Sequence, residues 1–262
     1  MAEVGCAASP VVRVSGASYV HGGYRSFEFA DVSACAGQVA ALLSGERALA
    51  RDLLLAVAGA VRPTSGSLAV GEASFTAPTG SGALRTAMAW SRFQRQLHAT
   101  GAVGLGVFTG LTEVDLSLTV EEAVGSELGH RRGTHVEVPD TLDFLASFGL
   151  ATYADQRIER LHPDARARLS AALALASAPR VAVVDLRDPF CAGLTADEER
   201  VLVSDLRRVA CAAEVAILAA CAEASSSAEA DTVFSLDIAG AEALGSLEAP
   251  AVTQPVSEGV DA

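Results

Sequence analysis

Two continuous apolar runs set the strongest limit on what this chain can fold into. Gln38 to Leu43 (QVAALL) and Val181 to Leu186 (VAVVDL, broken only by its acid Asp185) are strand-length and lack polar alternation. Such strands are covered on both faces, as in a parallel sheet flanked by helices. Val215 to Ala220 and Thr232 to Leu236 read as further buried strands, and Val103 to Phe108 as a short one. Helical patterns lie between them at Ala48 to Ala60, Leu84 to Leu97, Thr119 to Leu128, Asp140 to Phe148, Pro163 to Ala178 and Ala196 to Ala210. Thr119-Val120-Glu121-Glu122 opens its helix as a capping box. The predicted class is α/β with a mainly parallel sheet.

The N-terminal stretch has a different pattern. Val11 to Val14 alternates weakly, His21-Gly22-Gly23 marks a turn, and Ser26 to Val32 (SFEFADV) alternates as a half-buried strand should. Pro63-Thr64-Ser65-Gly66 is a tight turn into a short strand, Ser67 to Val70, and Thr76 to Gly82 reads as a loop. An added antiparallel sheet is expected here. Beyond about Gly240 the Ala/Pro/Glu-rich segment has no periodicity, and a flexible tail is expected over 241–262.

The 262 residues are half hydrophobic, enough for one large domain with a sizeable core. A formal charge of −13 repels phosphate backbones and weighs against a nucleic-acid partner. Cys6, Cys35, Cys191, Cys211 and Cys221 are odd in number and contain no C-x-x-C pair. They are expected to be small buried hydrophobes in a reducing compartment. No secretory leader is legible in Met1 to Pro10, and no apolar run reaches the length of a membrane span. The expectation is a soluble, cytoplasmic chain without membrane insertion.

In order, these segments resemble an ATP-binding-cassette nucleotide-binding domain from residue 11 to 240, with a helical subdomain at about 110–178. Gly37 to Leu43 resembles the strand entering that family's P-loop. Leu53 to Gly59 followed by Arg62-Pro63-Thr64-Ser65-Gly66 resembles the helix and turn leaving it. Leu118 to Ala123 resembles the segment after the Q-loop, and Phe148-Gly149-Leu150 with Arg160-Leu161 the approach to the signature motif. Val181 to Asp185 resembles Walker B, and Ala230-Asp231 the end of the last core helix. The resemblance implies a P-loop NTPase-like core with an N-terminal antiparallel β subdomain and an α-helical subdomain.

The residues that would carry its chemistry depart from the pattern. A P-loop cradles phosphates with glycine-rich backbone N–H groups, a lysine and a magnesium-binding hydroxyl. The flanks place it at Ser44-Gly45-Glu46-Arg47-Ala48-Leu49-Ala50-Arg51. Ser44 and Leu49 stand in the glycine slots, Ala50 in the lysine slot and Arg51 in the hydroxyl slot. A register one residue later gives Gly45, Ala50, Arg51 and Asp52 instead. Arg47 and Arg51 at a helix N-terminus could hold an anion, although solvated charges are the plainer reading.

The signature positions read Leu161-His162-Pro163-Asp164-Ala165, where proline removes a donor and Asp164 repels phosphate. Asp185 is kept, but the carboxylate expected after it is Leu186. Asp188 is the one candidate base, with a loop acid as the plainer reading. The D-loop slot is Thr195, the switch-histidine slot Cys221 and the Q-loop glutamine slot Thr109. His21 and Tyr19 stand where a base-stacking ring would sit.

The resemblance therefore implies a degenerate subunit, without cofactor and not hydrolysing ATP, that serves a membrane transporter-like complex as a structural or regulatory partner. Its partners would be an integral membrane permease-like protein and, as the family pairs head to tail, an intact cassette ATPase. Its place would be the cytoplasmic inner face of the membrane. Two alternatives stay open: a divergent ATPase using magnesium and ATP through Arg51, Asp52, Asp185 and Asp188, and a free-standing interaction protein on the same fold.

Overall fold

The computed structural model describes residues 9–21, 24–78, 83–130, 138–237 and 240–243. The N-terminal strands β1 (Val12–His21) and β2 (Tyr24–Ala34) pair antiparallel, and β1 also pairs with β4 (Ser65–Val70), which pairs with β5 (Ala73–Thr76). The order of this sheet is β2-β1-β4-β5. Ser67 to Val70 is thus preceded by two more strand residues, and β5 follows at once where the sequence offers no strand signal. Gly66 has a φ of 78°, and a Cβ there would strike the backbone of Gly16 and Ala17. The Pro63–Gly66 turn needs its glycine because β1 crosses directly against it.

The second sheet has the order β10-β9-β3-β8-β7-β6. Its members are β3 (Val39–Leu43), β6 (Val103–Leu105), β7 (Val181–Asp185), β8 (Ala216–Cys221), β9 (Thr232–Asp237) and β10 (Gly240–Ala243). All neighbours are parallel except β10, which returns antiparallel along β9. Every residue of β3, β7 and β8 is buried, as their unbroken apolar runs predict.

Side chains alternate between two cores. Val39, Ala41, Leu43, Ala182 and Val184 face a core shared with the helices α3 (Val120–Gly129), α5 (Pro163–Ala176) and α6 (Ala196–Ala213). Ala40, Leu42, Val181 and Val183 face the antiparallel sheet, α1 (Arg47–Val57) and α2 (Ala83–Thr100). A short α4 (Thr141–Ser147) begins at Asp140, whose carboxylate accepts from the Leu142 and Asp143 amides. The capping box at Thr119 forms as read: its side chain accepts from the Glu122 amide, and Glu122 accepts from the Thr119 amide.

Helix α5 packs close on β6 because Gly104 leaves room for it. A Cβ at Gly104 would collide with the Ala174 carbonyl. The buried Ser170 hydroxyl of α5 accepts from the Val107 amide at 2.9 Å, tying the end of β6 to the same helix.

The cysteine reading needs correction. Cys191 and Cys221 are buried free thiols, but Cys211 is exposed and Cys35 is disulfide-bonded. Cys6 and the turn Gly22-Gly23 lie outside the described residues. No helix among the described residues is long and apolar enough to cross a membrane.

Candidate functional site

The parallel strands end together. Leu43 of β3 pairs with Cys221 of β8, and Asp185 of β7 pairs with Ala220 beside it. In open parallel sheets the crevice outside these carboxyl ends is where ligands are received. Ser44, Gly45 and Glu46 alone separate β3 from α1, and none of them takes a positive φ. The Ser44 hydroxyl accepts from the Glu46 amide at 3.1 Å and donates to the Glu46 carbonyl at 2.7 Å, closing the turn on itself. Leu49 and Ala50, on the first turns of α1, are buried in the core.

Arg47 and Arg51 stand one helical turn apart on α1 and reach across the crevice to the loop after β7. Their guanidiniums meet Asp188 Oδ2 at 3.0 and 2.8 Å, and approach Asp185 Oδ2 at 3.8 and 3.7 Å. The reading of these arginines as solvated charges is corrected: Arg51 is 19% exposed and Arg47 35%, and both acids are fully covered. Arg51 also donates to the Thr109 carbonyl at 2.7 Å and lies over the Phe108 ring. Thr109 answers from the other side, its amide donating to Asp188 Oδ2 at 3.0 Å and its hydroxyl to Oδ1. A ring of contacts therefore joins α1, the segment after β6 and the loop after β7.

The two acids are held differently. Burial would raise the Asp188 carboxyl, but the Phe190 amide, the Thr109 hydroxyl and amide and the Arg47 charge outweigh it and hold it below the ordinary carboxylate value. Asp188 also begins the short 3-10 turn Pro189–Cys191, so its role as a loop acid and its place in the cluster coincide. Asp185 goes the other way. Burial, assisted by the neighbouring charge of Asp188, pushes it up to about 6 against Arg47, Arg51 and the Arg187 amide. Its Oδ1 accepts from that amide at 3.0 Å, while Oδ2 has no hydrogen-bond partner among the described residues.

Arg187 carries a third cation to the crevice and donates to the Ser44 carbonyl at 2.6 Å. The sequence reading missed it, since it follows the buried Leu186 at a position with no expected role. Asp52 points away from the crevice and accepts from the Ser26 hydroxyl of β2 at 2.6 Å.

Cys221 is fully buried, and burial first, then Glu199, pushes its thiol well above its usual value. Glu199, on α6, is a second group the sequence reading missed. Burial raises its carboxyl, opposed by the Ala222 amide donating at 2.8 Å.

Ala165 and Leu161 are core residues at the start of α5. His162 caps this helix, its ring nitrogen accepting from the Asp164 amide at 3.5 Å, with Pro163 in the first turn. Both Asp164 oxygens accept from Arg168 Nε at 3.0 Å, and Arg168 turns its other end to Asp205 at 2.7 Å. Thr195 caps α6 through a capping box with Glu198. Tyr19 and His21, both on β1, stack on each other with ring centroids 6.3 Å apart.

No family model and no curated protein sequence matches this chain. Solved structures match it in fold. A nucleotide-free ATP-binding cassette from an ABC transporter superposes with a TM-score of 0.63 at 13% identity, over 89% of this chain and 90% of that one. CbiO1 from Clostridium perfringens, part of the ABC transporter complex CbiONQ, gives 0.64 at 18% identity, over 89% and 87%. A further ABC transporter cassette, in its ADP conformation, gives 0.63 at 13% identity, over 90% of each. The chain has the ATP-binding-cassette fold.

Proposed function

We propose that this chain is a cassette-fold subunit that does not hydrolyse ATP and acts as a structural or regulatory partner of a membrane transporter-like complex. The observation that carries the reading is the Arg–Asp cluster. Phosphoryl transfer is mostly positioning and charge stabilisation by cations free to meet phosphate. Here Arg47 and Arg51 are already engaged by Asp185, Asp188 and Thr109. A triphosphate would have to compete with buried carboxylates for them, and a metal ion would have to displace Arg51 from beside Asp185.

The neighbouring backbone is equally ill suited. A turn of Ser44, Gly45 and Glu46 is too short to encircle a phosphate, and a buried Leu49 side chain fills a slot that needs a bare backbone. The residues present do not fit ATP with magnesium. At α5 the first turn offers a proline and a carboxylate, so the second anion site of such a fold is also closed.

Support for a membrane partner comes from the segment after β6. A cavity of about 370 Å³ opens between β6, α3 and α5, lined by Gly106, Val107, Val114, Leu118, Ala123 and Leu173 among others. Its lining takes in Val107 and Thr112, on either side of Thr109 in the chain, and one of the similar structures is part of a transporter complex. The helical unit at about 110–178 belongs to this same reading.

Calorimetry of the purified chain with ATP, with and without magnesium, tests the first half, with no heat of binding and no turnover expected. Binding that depends on magnesium and is abolished by Asp185→Ala would overturn it. Affinity purification from native membranes tests the second half, and recovery of neither a polytopic membrane protein nor a cassette ATPase would defeat it.

A further inference from the structure

Helix α2 is set rigidly on the antiparallel sheet. Trp90, Phe93 and Leu97 are buried along one face, with Trp90 edge-on to Phe75 at 5.0 Å and packed on Phe93 at 5.1 Å. Gln94 adds a hydrogen bond of 2.8 Å to the Gly59 carbonyl. This packing fixes the rotation of the helix about its axis.

The opposite face has a uniform character. Arg85, Met88, Arg92 and Arg95 follow one another at helical spacing, all exposed, with Leu84 beside them. Leu84 and Met88 are 73% and 63% exposed, and among the large apolar side chains of the described residues only Phe29 at 65% compares. The 18 residues of α2 include no acid, in a chain whose formal charge is −13. Among the described residues Arg85, Arg92 and Arg95 make no ion pair, whereas Arg25, Arg168, Arg200, Arg207 and Arg208 do.

We propose that the outward face of α2 seats on an anionic lipid surface, with Arg85, Arg92 and Arg95 on lipid phosphates and Leu84 and Met88 entering the headgroup layer. The chemistry is that of an interfacial helix, long apolar side chains flanked by cations. A lipid surface fits better than an acidic protein because the stripe is straight and convex and its apolar side chains stand out from the helix.

The negative charge of the rest of the molecule does not cancel this attraction. At physiological salt, charges beyond about 8 Å are largely screened, so the local row of arginines sets the sign. Each arginine near an anionic surface contributes about fivefold in partitioning, so three give on the order of a hundredfold. That is weak, reversible attachment, which needs a second anchor to become stable. The inference stands without the proposed membrane partner, since bare lipid tests it.

The test is flotation of the purified full chain with vesicles of equal parts phosphatidylcholine and phosphatidylglycerol at physiological ionic strength, where distant charges are screened. Wild type is expected to float with these vesicles, to stay behind with pure phosphatidylcholine, and to be released at high salt. Arg85→Gln, Arg92→Gln and Arg95→Gln together should weaken partitioning on the order of a hundredfold. Arg157→Gln, Arg160→Gln and Arg200→Gln together change the net charge equally elsewhere and should leave it intact. Leu84→Ala with Met88→Ala should weaken it several-fold. All these side chains are exposed, so unchanged melting temperatures are expected to verify the fold.

Three results would overturn the proposal. Wild type could fail to float with the mixed vesicles. The α2 triple variant could float as well as wild type. Alternatively, α2-dependent binding could occur to soluble polyglutamate and not to vesicles, which would assign the face to an acidic protein.

Discussion

The N-termini of α1 and α5 both face places where a cassette fold would receive phosphate, and each is closed by different means. At α5 the closure is local: His162, Pro163, Asp164 and Arg168 are neighbours in sequence, and the i,i+4 pair lies within one helix. At α1 the closure is tertiary: Arg47 and Arg51 meet Asp188 across 141 and 137 residues of chain. A local closure follows from propensity and tolerates change. A tertiary one depends on strands, loops and helix all arriving together, and it puts two carboxylates beyond the reach of water.

The largest expected difference between the two comes from removing one member of each. Asp188→Ala leaves Arg47 and Arg51 facing each other and Thr109 without its acceptor, and should cost about 3–5 kcal/mol in urea unfolding. Asp164→Asn at α5 should cost only about 0.5–1 kcal/mol, since it weakens an N-terminal charge and a partly exposed pair. Equal losses at the two helices would erase the distinction drawn here.

Next in size is a pH effect confined to α1. Asp185 is raised to about 6 from its ordinary 3.8, so the folded state holds its proton more tightly than the unfolded state. Its contribution to stability therefore falls as pH rises from about 4 to about 6, by roughly 3 kcal/mol in all. Asp188 has the opposite sign, its contribution being present above the ordinary carboxylate value and lost in stronger acid. Urea unfolding of wild type and Asp185→Asn between pH 4.5 and 6.5 isolates the first effect. The wild-type advantage should shrink across that window, and a constant difference would show that Asp185 is not strained by burial.

The smallest expected effect is zero. A folded-state ligand at a hundred times its dissociation constant adds about 2.7 kcal/mol of stability. Magnesium with ATP at millimolar concentration should leave the melting temperature unmoved, and an upward shift that Asp185→Ala removes would reopen the α1 crevice as a nucleotide site.

The contrast between the helices also marks what could be read in the sequence. Strands β3, β7 and β8 were legible because burial on both faces leaves an unbroken apolar run, and the Thr119 box because capping is chemistry over four residues. The proline and acid of the first turn of α5 were legible as residues, but the His162 cap before them was not. Strand β5 was not, since Ala73–Thr76 is short and its pairing with β4 supplies what propensity does not. The identity of each slot in the α1 crevice was readable by position, but the ion pairs were not. Nothing in Arg47 or Arg51 alone says whether a guanidinium points to water or to a carboxylate more than a hundred residues away. Arg187 escaped notice because its partner, the Ser44 carbonyl, is a backbone group that any sequence possesses, and Glu199 because its contacts, the Ala222 amide and the Cys221 thiol, lie more than twenty residues further along the chain.

Thr109 gives the cluster a mechanical meaning. It is gripped by Asp188 on one side and Arg51 on the other, two residues after Val107, which lines the cavity between β6, α3 and α5. Both grips are side chains of the polypeptide, so they form without a bound molecule. Under the function proposed above, such a part would behave in an assembly as a strut rather than a piston, passing load between neighbours at constant length.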